Sequence, residues 1–189
     1  MDYSYVNDFR KLGFGMFVHF GLYSVLGKGE WHFQYTRDSR MSDEVAMERY
    51  IEKTFPRFKV APNWAKELCK TAKKAGCRYV TLTTRHHEGF SLYDTCGLNE
   101  LDAPHSPTQR DLVQEFVNAC REYDLLPVFY HTVIDWWQKD FRSGNFEAYF
   151  AYLKRSIEIL CTRYGKVGGF WFDGTWGLPQ GITFPEEIY

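Results

Sequence analysis

The 189-residue sequence is narrowed first by what it has little of. Neither charge is in excess: 23 Lys and Arg stand against 24 Asp and Glu, for a formal net charge of -1. Without a basic field or stripe to neutralise phosphates, nucleic acid and the membrane surface are excluded as partners. No stretch approaches the roughly 18 to 20 apolar residues that a bilayer crossing needs. Met1 to Phe20 contains Asp2, Asp8, Arg10 and Lys11 and has no basic segment leading into an apolar one, so no secretory signal is expected there. Cys69, Cys77, Cys96, Cys120 and Cys161 are odd in number and form no close metal-like pairs. Free thiols in a reducing cytoplasm are the expectation. Repeats, linkers and low-complexity segments are also lacking, so residues 1–189 read as one domain.

Aromatic residues, by contrast, are abundant. A hydrophobic content of 44% suffices for one core, and 16 Phe, 13 Tyr and 6 Trp exceed ordinary usage. Such rings suit flat apolar ligand faces, those of sugars among them.

Four short apolar runs, Phe14 to Phe20, Arg78 to Thr84, Leu126 to Thr132 and Gly168 to Asp173, read as strands. Helical patterns separate them. The first has Pro62 in its opening turn, presents Trp64, Ala65, Leu68, Cys69, Ala72 and Ala75 on one face, and stops at Gly76. The second starts near Asp111 and places Leu112, Val113, Phe116, Val117 and Cys120 at helical spacing. The third starts near Phe146, with Tyr149, Phe150, Leu153, Ile157 and Leu160, and ends before Gly165. Alternation without hairpin signals predicts a parallel sheet. Phe20-Gly21-Leu22-Tyr23 is no dinucleotide fingerprint, which weakens the doubly wound alternative. Polar residues gather instead at the C-terminal strand ends, where a (β/α)8 TIM-type barrel keeps its chemistry. Four βα units make about half such a barrel. Residues 21–61 form a long insertion on the catalytic side, and Thr183 to Tyr189 reads as the opening turn of a further helix.

Asp173 closes the fourth strand between Trp171 and Trp176, a placement that suits a glycosidase nucleophile. The commoner use of an Asp after a strand is to cap the next turn. His86 and His87 are adjacent and would face opposite ways on a continuing strand, but a loop can turn both inward. With His19, His131 and Asp173 they also make a set that a metal-dependent barrel hydrolase would need, although the H-x-H spacing is absent. Glu30 and Trp31 in the long insertion suit hydroxyl binding and stacking, or equally a solvated loop. Asp135, Trp136 and Trp137 invite the same reading. Arg110 and Asp111 fit a helix start better than a ligand contact.

At these residues the chain resembles the catalytic domain of the α-L-fucosidases of glycoside hydrolase family 29. The matches run from Phe14-Gly15-Met16-Phe17-Val18-His19 through Glu30-Trp31, Tyr79 to Phe90 with its His86-His87, Pro107 to Leu112 and Tyr130 to Trp171-Phe172-Asp173-Gly174-Thr175-Trp176. The resemblance implies a retaining hydrolase that releases terminal α-L-fucose from fucosylated glycans or glycosides without metal or organic cofactor. It makes Asp173 the nucleophile. His19, Glu30, Trp31, His86, His87, Tyr130 and Trp171 would hold the sugar. Phe20 stands where the family often has Trp, and Glu88 where it often has Asp. The family's acid/base carboxylate lies in a later part of the barrel, beyond Tyr189, with Glu30, Glu88 and the carboxylates between Asp43 and Glu52 as the local substitutes. Self-association through open sheet edges is a further expectation. The alternatives are a non-catalytic fucose- or glycan-binding remnant and a metal-dependent barrel hydrolase.

Overall fold

The computed structural model describes residues 4–188. Helix α1 (Ser4–Leu12) precedes strand β1 (Gly15–Val18). Then come α2 (His32–Thr36), α3 (Asp43–Thr54), α4 (Trp64–Lys74), β2 (Tyr79–Arg85), α5 (Leu112–Glu122), β3 (Leu126–Thr132), α6 (Lys139–Ser143), α7 (Phe146–Arg163) and β4 (Phe170–Asp173). Every strand pair is parallel and the spatial order is β1-β2-β3-β4. A doubly wound sheet reverses its order at a switch point. This one adds strands in one direction, as a barrel does, so the fold is a partial (β/α)8 barrel of four βα units.

Side chains alternate between the two faces of the sheet. Val80, Leu82 and Phe129 turn outward and join Cys69 and Ala72 of α4 and Leu112, Phe116 and Val117 of α5 in the main core. A second cluster links Tyr149, Leu153 and Ile157 of α7 to Val133, with Phe170 and Phe172 of β4 packed against it. The concave face carries Phe17, Thr81, Val128 and Trp171, which with Tyr5, Val6 and Phe9 of α1 line a groove of about 450 Å³. Phe17 and Trp171 are 43% and 59% exposed, so the face that a closed barrel would fill is open.

Helix starts follow local chemistry. Asp111 accepts from the Gln114 amide at 2.8 Å, which makes it the cap of α5, as its position suggested. Ser42 caps α3 by accepting from Val45. The long insertion is therefore not a bare loop: α2 and α3 form within it, and Ser42 followed by Asp43 and Glu44 was the available signal. At the other end only a short 3₁₀ turn, Glu186–Ile188, follows Thr183, and Tyr189 lies outside the described residues. No helix among the described residues is long and apolar enough to cross a membrane. All five cysteines are free thiols.

Candidate active site

The site forms where the four strands end. Asp173, the last residue of β4, points to the concave side and is 34% exposed there. Its Oδ2 accepts from the Tyr130 hydroxyl at 2.8 Å. This works because Tyr130 and Asp173 share the inward face two register steps apart: Tyr130 pairs with Trp171 and Thr132 with Asp173. Asp173 is not a turn cap. The turn after it is entered through Gly174 at φ +100°, and a Cβ there would press on Ile134 Cγ1 at 3.0 Å and His87 Cε1 at 3.2 Å.

The two adjacent histidines both reach the hollow. The β2–β3 register shifts between Thr83 and Arg85, and this irregularity at the strand end lets Arg85 go to the helix side. His86 and His87 then lie with ring centroids 4.2 Å apart, and His86 stacks on Tyr130 at 5.5 Å. His87 Nε2 is 3.6 Å from Asp173 Oδ2. Its Nδ1 lies 2.6 Å from Thr132 Oγ1, whose own proton goes to the Ile134 carbonyl. Nδ1 must then donate to Thr132, which leaves the Nε2 lone pair facing the hollow beside the carboxylate. A hydroxyl group placed between them would donate to either. Burial lowers His86 to about 2 and His87 to about 4, so both rings are neutral near pH 7.

His19 lies at the rim, in ring contact with His86 at 5.4 Å and Tyr130 at 5.6 Å. Trp31 closes another side against His87, Trp136 and Trp176 at 5.5, 5.6 and 5.6 Å. Glu30 is half-buried, and its charge is felt at both His87 and Tyr130. Trp171 stands on the same strand face two residues before Asp173, edge-on to Phe17 at 5.8 Å. Asp173 and the seven residues expected to hold the sugar thus sit around one hollow.

Several other expectations are corrected. His131 faces outward, fully buried, with Nε2 3.3 Å from Ser156 of α7, because β3 alternation puts it opposite Tyr130. It cannot join a ligand set with Asp173. The donors that do cluster are His86, His87 and Asp173, within 4.8 Å of one another. Phe20 packs on Phe58 and Trp64 rather than into the hollow. Glu88 is buried and turned away, accepting from the Leu22 amide at 2.7 Å and from the Tyr50 hydroxyl, so it ties α3 and the long insertion to the end of β2. Asp135 is also fully buried, and of its trio only Trp136 reaches the wall. Thr132, Phe17 and Tyr23 were not expected from the sequence. Tyr23 meets His86 edge-on at 5.6 Å, and no local motif marks it.

These buried groups make stability pH-dependent. The unfolded chain protonates histidine below about pH 6.5 while folded His86 and His87 stay neutral, so stability falls as pH drops from 6.5 towards 4. Each contributes about 2 kcal/mol of loss by pH 5. Burial raises Glu88 to about 7, which acts oppositely, removing stability as pH rises from about 4.5 to 7. Thermal melts are expected to show a lower midpoint at pH 5 than at pH 7. The drop should be steeper in Glu88→Gln, which removes the opposing group. A midpoint higher at pH 5 would contradict the buried neutral histidines.

Comparison with known proteins gives a consistent result. The family model described as Alpha-L-fucosidase matches residues 2–188. The tissue alpha-L-fucosidase of Bos taurus is 30% identical over 190 residues, which cover 91% of this chain and 40% of that protein. The chain therefore spans about 40% of the length of the curated relatives it matches. Among solved structures, alpha-L-fucosidase isoenzyme 1 from Paenibacillus thiaminolyticus superposes with a TM-score of 0.78 at 33% identity, over 89% of this chain and 42% of that one. A GH29 alpha-L-fucosidase from Bacteroides thetaiotaomicron, solved as a covalent intermediate trapped with 2-fluoro-fucosyl fluoride, gives 0.75 at 29% identity, over 93% of this chain and 42% of its own.

Proposed function

This chain belongs to the α-L-fucosidase family, and from that premise we propose that it carries the nucleophile half of a retaining α-L-fucosidase site, with Asp173 attacking C1 of a terminal α-L-fucosyl residue on a fucosylated glycan or glycoside. The observation that carries the reading is Asp173 itself, partly open to solvent and held by Tyr130 inside a hollow of neutral imidazoles and indoles. Attack forms an ester between a carboxylate oxygen and C1, the C1–O bond breaks, and the leaving oxygen takes the electron pair. Tyr130 stabilises the carboxylate before attack and releases one oxygen as the ester forms. His19, His86, His87 and Glu30 hold hydroxyls, and Trp31 and Trp171 cover apolar sugar faces.

Departure of a natural glycan needs a proton donor, typically worth about 10² to 10⁴ in rate. A pKa of about 7 would suit Glu88 for this, but its oxygens are engaged away from the hollow. Activated fucosides, which need no acid, are therefore the substrates that report on Asp173 by itself. Among the described residues β1 and β4 are the edge strands, and they offer pairing positions to further strands or to a second copy.

Incubation with 2-fluoro-fucosyl fluoride tests the reading. Fluoride leaves with its bonding pair, and the fluorine at C2 slows hydrolysis of the resulting ester. Mass spectrometry is expected to find one 2-fluorofucosyl group on the peptide containing Asp173. A modified peptide elsewhere, or none, overturns the assignment. The clustering of His86, His87 and Asp173 within 4.8 Å also favours a metal-dependent reading, for which the same incubation after exhaustive chelation discriminates. Undiminished labelling is expected, and labelling that needs added zinc would favour the metal.

A further inference from the structure

Two ring nitrogens in the wall of the hollow have no hydrogen-bond partner among the described residues. They are His86 Nδ1 and His87 Nε2, on side chains that are 2% and 0% exposed. Buried polar atoms are ordinarily satisfied, so an orphaned pair beside a cavity marks a place for a ligand. One donor atom each of His86, His87 and Asp173 lies within 4.8 Å of the others, and no other trio of His, Cys, Asp or Glu among the described residues comes together in this way.

The spacing suits a metal ion. His87 Nε2 and Asp173 Oδ2 are 3.6 Å apart. Bonds of about 2.0 to 2.2 Å to one tetrahedral zinc ion put two such donors about 3.3 Å apart, so this pair needs to close by only a few tenths of an ångström. Both donors are already oriented by groups behind them, as metal ligands require. His87 gives its Nδ1 proton to Thr132 Oγ1, which aims the Nε2 lone pair at the carboxylate, and Tyr130 donates to Asp173. Glu30 adds a second carboxylate near enough to be felt at His87. Two imidazole nitrogens with one carboxylate oxygen suit borderline ions such as zinc, copper and cobalt, whereas magnesium and calcium prefer an all-oxygen shell.

We propose that His86, His87 and Asp173 form an inhibitory site for a borderline divalent ion, zinc first among them, which excludes the sugar from the hollow. Asp173 bonded to the ion is no longer a free nucleophile, and the ion stands where a sugar hydroxyl would bridge His87 and Asp173. The ion is a competitor, so removing it raises turnover, the opposite of what removing a metal cofactor does. The inhibition rests on the fucosidase reading; the ion site does not.

Titration of the full chain with cobalt(II) alone tests the site. Visible d–d bands are expected without the near-ultraviolet charge-transfer band of a cobalt–thiolate bond, which would signal the exposed Cys96 or Cys161 instead. Affinity should fall at least about tenfold in Asp173→Asn and in His87→Gln, and by about tenfold in Thr132→Val, which touches no ion but frees the His87 ring. Circular dichroism checks each fold, and Asp173→Asn is expected to keep it because that side chain is 34% exposed. Zinc at about ten times its dissociation constant should slow the labelling of Asp173 by 2-fluoro-fucosyl fluoride about tenfold. No cobalt binding, thiolate bands only, or an affinity unchanged in both Asp173→Asn and His87→Gln overturns the ion site and leaves the fucosidase reading standing. Labelling that zinc accelerates or leaves unchanged overturns the inhibition. Cobalt binding that is lost in the variants, in a chain that takes no label at Asp173, supports the ion site and overturns the fucosidase reading.

Discussion

Asp173→Ala is expected to lower turnover of an aryl α-L-fucoside by about four orders of magnitude or more, with fold and fucose affinity nearly unchanged. The size follows from the proposed role, because removing a covalent nucleophile leaves only binding and orientation to assist the reaction. Stability should survive because the carboxylate is 34% exposed and its close partner is one hydroxyl, that of Tyr130, which water entering the open hollow can satisfy. Sugar binding should survive because the imidazole and indole contacts remain. Azide supplies a second readout. It fits the space left by the carboxylate, attacks C1 as the aryloxide leaves with its electron pair, and yields β-fucosyl azide with part of the rate restored. Undiminished hydrolysis by the variant would remove Asp173 from the mechanism.

Asp135→Ala should cause the largest loss of stability, about 3 to 5 kcal/mol, out of about 5 to 15 for a typical domain. Arg85 and Asp135 are both fully buried, with Nε and Oδ2 3.9 Å apart, and Arg85 also donates to the Tyr152 hydroxyl and lies 4.9 Å above that ring. Removing the acid strands a guanidinium that cannot lose its proton. It also frees the amides of Trp137 and Gln138, which donate to Asp135 Oδ1 at 3.0 and 2.9 Å. Gly89 records how tight this junction is, for at φ +85° any Cβ would lie 2.5 Å from that same oxygen. Asp135→Asn keeps an acceptor for the amides and should lose less, and Arg85→Met combined with Asp135→Asn should recover much of the deficit. Denaturant titration measures all three. A wild-type-like midpoint for Asp135→Ala would show that the pair is not needed for folding.

The buried pair also shows where sequence reasoning stopped. Asp135 beside two tryptophans has the look of a sugar ligand, and Glu88 beside two histidines has that of a catalytic acid, yet both carboxylates are turned into the protein. Residue type and neighbours pointed all three at the hollow, and the structure turns only Asp173 towards it. What separates them is which side of a strand end each occupies. His131 makes the same point, since an alternation of two sends it to Ser156 while Tyr130, one residue earlier, goes to Asp173.

Local patterns along the chain determined the four strands, the three long connecting helices, the cap at Asp111 and the barrel class, because hydrophobic periodicity and capping act over a few residues. The order of polar groups at strand ends likewise located the hollow. The tertiary structure alone decided that His86 and His87 turn inward together, that Thr132 fixes the proton on His87, and that Glu88 and Asp135 are anchors. Those outcomes depend on a register shift in β2 and on contacts between residues more than forty positions apart, which no local pattern encodes.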